Sequence, residues 1–456
     1  MNPKSPRHIL RASAVCAAFG VFSNVYGLPL GAAGLLDSKN LRGPGATKVG
    51  ILCGQLIDGK NDTPLKNAAI LIEGEKIIAI GTSKIVPPEA QRIDLGNATV
   101  LPGFIDAHSH PLISTDTYQT DHLKWSSAYK ALRGLKAVQE NLMAGWTTLR
   151  IAGDADVYYA LFDIRKAIDE KLFMGPRLTG AGHYLTITGG GGDFNAISPE
   201  QKIIPDGKIV NGVDEMRRAV REEIKYGSDW IKLLVTGAFF SEGDDPQDVH
   251  FSPAELQAAV EEASRFDVPV MAHAHAAEGI KQAVRAGVRS IEHGSFMDAE
   301  AIALLKQRGV YLVPTIYIGE YFNETGSTNP GLNKMLELTR KHQAESERMV
   351  GEAIRAGVKI VVGSDFGGYD ASRNAREFAA LVRTGMTSMQ AIQAGTRVAA
   401  EMLRWDDRVG TVEPGKLADL VAVAGDPLRD ISELGRVIFV MLGGKIIKTP
   451  QQGARD

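Results

Sequence analysis

The chain has 456 residues, 44% of them apolar, and its 51 basic and 54 acidic side chains leave a formal net charge of −3. That length suits a large domain with a satellite, and the apolar share suffices for a sizeable core. The near-neutral balance leaves no basic field for nucleic acid and excludes a disordered acidic chain.

Residues 1–27 read MNPKSPRHILRASAVCAAFGVFSNVYG, with Lys4, Arg7 and Arg11 ahead of an apolar run from Ala12 to Phe22. Small residues around Gly27 complete the pattern of a secretory leader, which places the mature protein in the periplasm or outside the cell. Without cleavage the segment is an N-terminal extension and the chain is cytoplasmic. The run is too short to cross a bilayer and no other segment is apolar enough, so no membrane contact is expected of the mature form. The two cysteines are Cys16 and Cys53, and removal of the leader leaves no disulfide to form. Residues 28–46 read as a linker.

KVGILCGQLIDG and AAILIEGEKIIAIG then read as short strands, as do KLADLVAVAGDP and GRVIFVMLGGKIIK near the other end. Residues 47–99 and 408–449 are therefore expected to form one small composite β domain built from both ends of the chain. Residues 100–407 alternate strands and helices. The strand candidates are VLPGFIDAH, TTLRIAG, PRLTGAG, WIKLLVTG, VPVMAHAH, SIEHG, VYLVPTI and KIVVGSD. SPAELQAAVEEASRF is the clearest helix: Ser252 caps it, Pro253 suits its first position and Glu255 completes a capping box. Eight strands with helices between them predict an α/β fold, a (β/α)8 TIM barrel. A doubly wound open sheet fits less well, because polar residues end many strands and do not gather at one crevice.

The strand ends carry the chemistry. His108 and His110 end the first, Lys232 lies in the fourth, His273 and His275 end the fifth, His293 the sixth and Asp365 the eighth. Residues two apart in a strand share a face, and a barrel brings all these ends to one mouth. Five of the ten histidines fall there. Each position has an ordinary reading, such as a snorkelling Lys232 or an Asp365 that caps a helix, but five strands agreeing makes a joint accident improbable. Imidazoles and carboxylates bind a divalent ion such as zinc, whereas an ammonium does not. A lysine buried among them must lose its proton or be modified, and carbamylation by CO2 would make it a carboxylate that bridges two cations. The segment GAGHYLTITGGGGDF, residues 180–194, adds His183 at the same mouth. Its glycine run lacks the GK[ST] of a phosphate loop and suits a flexible active-site loop. Tyr317, after the seventh strand, is a further candidate for the pocket wall.

With HxH on the first strand, Lys on the fourth, His on the fifth and sixth and Asp on the eighth, the chain resembles the amidohydrolase superfamily, in its binuclear carboxylated-lysine branch. LPGFIDAHSH is close to that superfamily's strongest motif, and the flanking strands are similar to its composite β-sandwich. The resemblance runs from about residue 47 to 449. It implies that His108, His110 and Asp365 hold one of two divalent ions, zinc by default, that His273 and His293 hold the other, and that N6-carboxylysine at Lys232 bridges them. It implies amide hydrolysis by a metal-bridging hydroxide, with Asp365 moving the proton. Strand alternation alone leaves His273 and His275 equivalent. The family's HAxG-like motif falls on His273, although Ala277 stands where glycine is usual.

KLLVTGAFFS, MAHAHAAEGI and SIEHGS further resemble the prolidase-like, Xaa-carboxypeptidase and ochratoxin-hydrolysing group. That implies a small-molecule amide of a C-terminal amino acid, either a dipeptide or an N-acyl amino acid, with His183 and His275 on the substrate. Relatives are often dimers to octamers. The alternatives are a cyclic-amide or lactone hydrolase of the same superfamily, imidazolonepropionase-like, against which Lys232 argues, and a non-catalytic scaffold, against which the full ligand set argues.

Overall fold

In the computed structural model, residues 48–113, 117–241, 243–326, 330–367 and 370–450 are described. The expected leader (1–27) and linker (28–46) lie outside the described residues.

Eight strands from the two flanking segments form one sheet. Lys48–Leu56 pairs antiparallel with Leu65–Glu73, which pairs with Lys76–Gly81. Leu420–Val423 pairs with Val437–Leu442, which pairs with Lys445–Lys448. The two halves are joined through Thr99–Pro102, parallel to Gln55–Leu56 on one side and antiparallel to Leu420–Val423 on the other. The sheet also returns on itself, because Ala418 donates to Glu75 O and Ile77 donates to Lys416 O. Alternation explains the inside: Ile51, Ile70, Val100, Leu420 and Phe439 are buried in a core separate from that of the barrel.

The expected strand VLPGFIDAH is two strands. Thr99–Pro102 belongs to the satellite sheet and Phe104–Ser109 to the barrel. Gly103 between them donates to Asp419 O, and a Cβ there would stand 2.2 Å from Thr147 Oγ1, so only glycine passes. The satellite thus takes in residues up to Pro102.

The barrel strands run parallel. Phe104–Ser109 pairs with Trp146–Ala152, which pairs with Arg177–Ala181. Ile231–Leu234, Val270–Ala276, Ser290–Phe296 and Tyr311–Val313 follow in order. The third strand breaks at Gly182–His183 and resumes as Tyr184–Thr186, which pairs with the fourth. The eighth position is an extended segment and not a regular strand. It nonetheless closes the ring: Val361 donates to Leu312 O on one side, and Ala107 donates to Val362 O and Asp365 to His108 O on the other. Helices wrap the outside. Pro253–Ser264 has its capping box, with the Ser252 hydroxyl accepting from Glu255 N and the Glu255 carboxylate accepting from Ser252 N. A long helix, Pro330–Ala356, lies between the seventh strand and the eighth segment.

Candidate active site

The carboxyl ends of the strands meet around a cleft of about 370 Å3. Its floor carries His108, His110, Lys232, His273, His275, His293 and Asp365, every metal-ligand candidate from the sequence, together with His275. His108 and His110 converge by strand alternation, with their Nε2 atoms 3.2 Å apart. Asp365 Oδ1 lies 3.3 Å from His108 Nε2 and 3.1 Å from His110 Nε2. His293 meets His273 with ring centroids 4.5 Å apart and stacks on His275 at 4.8 Å.

The far nitrogen of each ring is anchored, which fixes where the near one points. His108 Nδ1 donates to Glu292 Oε2 at 2.7 Å, and His110 Nδ1 donates to Gly153 O at 2.6 Å. His293 Nδ1 is 2.7 Å from the Thr315 hydroxyl and His275 Nδ1 is 2.8 Å from the Ser295 hydroxyl. His273 Nε2 donates to Gly237 O at 3.1 Å. Geometry leaves His273 and His275 equivalent as ligands, since both come within ligand range of His293.

Burial pushes His275 down to about 3 and His273 and His293 well below the usual histidine range, so their rings stay neutral with lone pairs available. Burial likewise pushes the Lys232 amine down to about 8, against the fields of Glu292 and Asp365. Burial would push Asp365 up, but the charge and hydrogen bonds of His108 and His110 hold it well below the carboxylate range. The same burial would push His110 down, and its hydrogen bond to Asp365 raises it instead. Two ring nitrogens and a carboxylate oxygen at 3.1–3.3 Å call for a positive charge between them. Two groups of three donors can each surround an ion: His273, His275 and His293, and His108, His293 and Asp365. The donor set fits divalent metal.

A buried support lies beneath, which the sequence reading missed. Arg150 forks onto Glu292 at 2.8 and 2.9 Å, also bonds Ser290 Oγ at 2.9 Å, and all three stand inside the barrel. Burial would raise Glu292, and the charge of Arg150 with the His108 hydrogen bond pulls it down to about 2. The available signal was one charge in each of two buried strands, Arg150 in WTTLRIA and Glu292 in SIEHGSF, neither of which holds another lysine, arginine, aspartate or glutamate. Asp106 was also missed. It accepts from His108 N at 3.1 Å and Ser364 N at 2.9 Å, and so sets the register of the eighth segment against the first strand.

Two expected substrate residues sit elsewhere. Tyr317 is buried outside the cavity wall; its ring stacks on Phe366 and its hydroxyl is 3.0 Å from Arg376 Nη1. The chain turns helical at Tyr317, so strand alternation stops and Ile316 and Ile318 face the cleft instead. His183 sits at the break in the third strand with Nδ1 2.8 Å from Glu223 Oε1 and its ring edge-on to Tyr159, while Tyr184 lines the cleft. Above the floor the cleft is lined by the aromatic rings of Phe239, Phe240 and Phe322 and by polar side chains of the long helix, His342, Gln343 and Glu347.

Residues 99–447 match the amidohydrolase family model. The chain is 32% identical to the ochratoxinase of Aspergillus niger over 88% of this chain and 87% of that one. Among solved structures, a Xaa-Pro dipeptidase with methionine bound in its active site superposes with a TM-score of 0.82 at 35% identity, over 88% of this chain and 99% of the other. A prolidase in complex with N-methylphosphonate-L-proline superposes with a TM-score of 0.80 at 30% identity, over 88% and 100%.

Proposed function

This chain belongs to the amidohydrolase family, and from that premise we propose that it releases a C-terminal amino acid from a dipeptide or an N-acyl amino acid, ochratoxin-type amides included. It is a metal-dependent hydrolase of amide bonds. The finer reading is two divalent ions, zinc by default, with His108, His110 and Asp365 around one, His273 and His293 around the other, and carboxylated Lys232 between them. When bound, the ions supply an activated water and polarise the carbonyl.

The chain's own groups do the rest. Asp365, ionised and within 3.3 Å of both His108 and His110, accepts the proton of the attacking water and returns it to the leaving nitrogen. His275, neutral and oriented by Ser295, offers a hydrogen bond to the carbonyl oxygen. The aromatic wall takes the apolar part of the substrate and excludes water. The observation that carries this reading is the placement of Lys232: its amine stands on the buried floor of the cleft among His108, His110, His273, His293 and Asp365, where burial favours the neutral form that combines with CO2. The same reading makes Lys232 the residue to remove.

The test is amino-acid release from a panel of dipeptides and N-acyl amino acids after loading with zinc and bicarbonate. Two ions per chain, a carbamate carbon signal from labelled bicarbonate and loss of release in chelator are expected. Lys232→Ala should lose the carbamate signal and at least about 99% of turnover. A fully loaded enzyme that opens cyclic amides or lactones but releases no amino acid would move the chain to that alternative. A Lys232→Ala variant as active as the parent would remove the bridging role.

A further inference from the structure

Among the described residues that line the cleft, one carboxylate, Glu347, stands without a cation beside it. Glu347 lies on the polar wall, one turn beyond Gln343, whose Nε2 donates to it at 3.0 Å. Among the described residues no lysine, arginine or histidine is in ion-pair contact with it, and His342 of the same wall is 3.5 Å from Glu345 instead. The nearby basic residues are committed elsewhere: Arg383 pairs with Glu320, and Arg373 and Arg376 pair with Glu324. Within the described cleft wall the only lysine or arginine is Lys232, at the floor among the ligands.

A half-buried carboxylate in a cavity lowers its free energy when it meets a cation, more so where water is excluded. The aromatic side chains of the same cleft supply the other half of such a site. Phe240 and Phe322 pack at 5.1 Å and expose apolar surface to the cleft, suited to an aliphatic stem and to the face of a cation. An acidic side chain entering the same space would face Glu347 uncompensated, so the arrangement selects as well as attracts.

We propose that Glu347 is a specificity residue for a cationic side chain, so that the preferred amides carry a lysine- or arginine-like group. This rests on the amide-hydrolase reading above and adds to it a class of substrate. The cation belongs either to the released amino acid or to the acyl half, and the two are separated by where it is placed.

The experiment measures kcat/KM on isosteric pairs: N-acetyl-lysine against N-acetyl-norleucine for the released half, and lysyl-leucine against norleucyl-leucine for the acyl half. One pair should favour the cation by about tenfold or more. Glu347→Gln should bring that ratio close to one, and Glu347→Asp, which keeps the charge, should retain part of it. Thermal melting identifies a variant that has failed to fold, in which case Glu347→Asp alone decides. Ratios near one for both pairs in the parent enzyme overturn the proposal while leaving amide hydrolysis intact. A preference that survives Glu347→Gln also overturns it, because the cation is then held elsewhere. No release from any amide in the panel sinks the hydrolase reading, and this proposal with it.

Discussion

At the scale of single residues, the site is a set of groups whose protonation is fixed by what lies behind them. Arg150, Glu292 and His108 form a buried relay in which the guanidinium neutralises the carboxylate and the carboxylate holds the ring. Removing the cation leaves a charge stranded in a dry interior, which typically costs about 3–5 kcal/mol. Arg150→Met should therefore lose about that much in denaturant unfolding, and metal affinity should fall by about 10- to 100-fold in a chelator competition. An unchanged affinity would detach the relay from the metal centre. The ligand candidates were legible because strand alternation and the barrel topology put isolated polar residues at one end. The relay was not, since a buried ion pair leaves only one charge in each of two strands, and nothing local says that they meet 142 positions apart. Glu347 was equally silent: whether a glutamate on a helix meets solvent or a cleft depends on where that helix packs.

At the scale of elements, the strand ends are bent into unusual backbone. His293 has φ 72°, Thr315 φ 48° and Asp365 φ 57°, all left-handed, and Thr315 is β-branched. Such conformations cost of order 1–3 kcal/mol each and persist where the surroundings impose them. Glu377 is one such constraint. Its carboxyl accepts from Ile316 N at 2.9 Å and Tyr317 N at 2.7 Å, directly after Thr315, and Thr315 holds His293. Burial pushes Glu377 up to about 8 from 4.5. The folded state then binds the extra proton between those values, so this contribution is complete below pH 4.5 and is lost as pH rises towards 8, at up to about 1.4 kcal/mol per unit. Glu377→Gln should flatten that part of the stability profile measured by urea unfolding between pH 5 and 8. A parent profile already flat there would show that the proton is not held. The same bend explains why Tyr317 lies off the cleft wall: the strand ends at Val313, where Pro314 marks its stop, but nothing in VYLVPTI says that a helix begins at Tyr317 and turns its ring away. The cap at Ser252 was readable because capping is a local matter of four residues.

At the scale of the whole molecule, barrel and satellite sheet form one compact unit. The barrel was legible from its alternation of strands and helices, and the sheet from two distant strand-rich segments. The junction at Gly103 was not, because one apolar run serves two sheets and only packing against Thr147 and Asp419 divides it. Leu420–Val423 is buried along its whole length and pairs with Thr99–Pro102. A chain ending at residue 407 should accordingly lose cooperative unfolding and go to the insoluble fraction, and adding residues 408–450 back as a separate polypeptide should recover part of the soluble yield. A soluble, cooperatively melting truncation would mean that the barrel stands alone.

That pairing also orders events during synthesis. Strand Thr99–Pro102 leads straight into Phe104–Ser109, which bears His108 and is followed at once by His110, yet its partner is translated more than 300 residues later. Until then the nascent polypeptide presents an open edge beside His108 and His110. Non-local closure of this kind is slow, so maturation should follow release from the ribosome, with a holding chaperone guarding that edge in the interval.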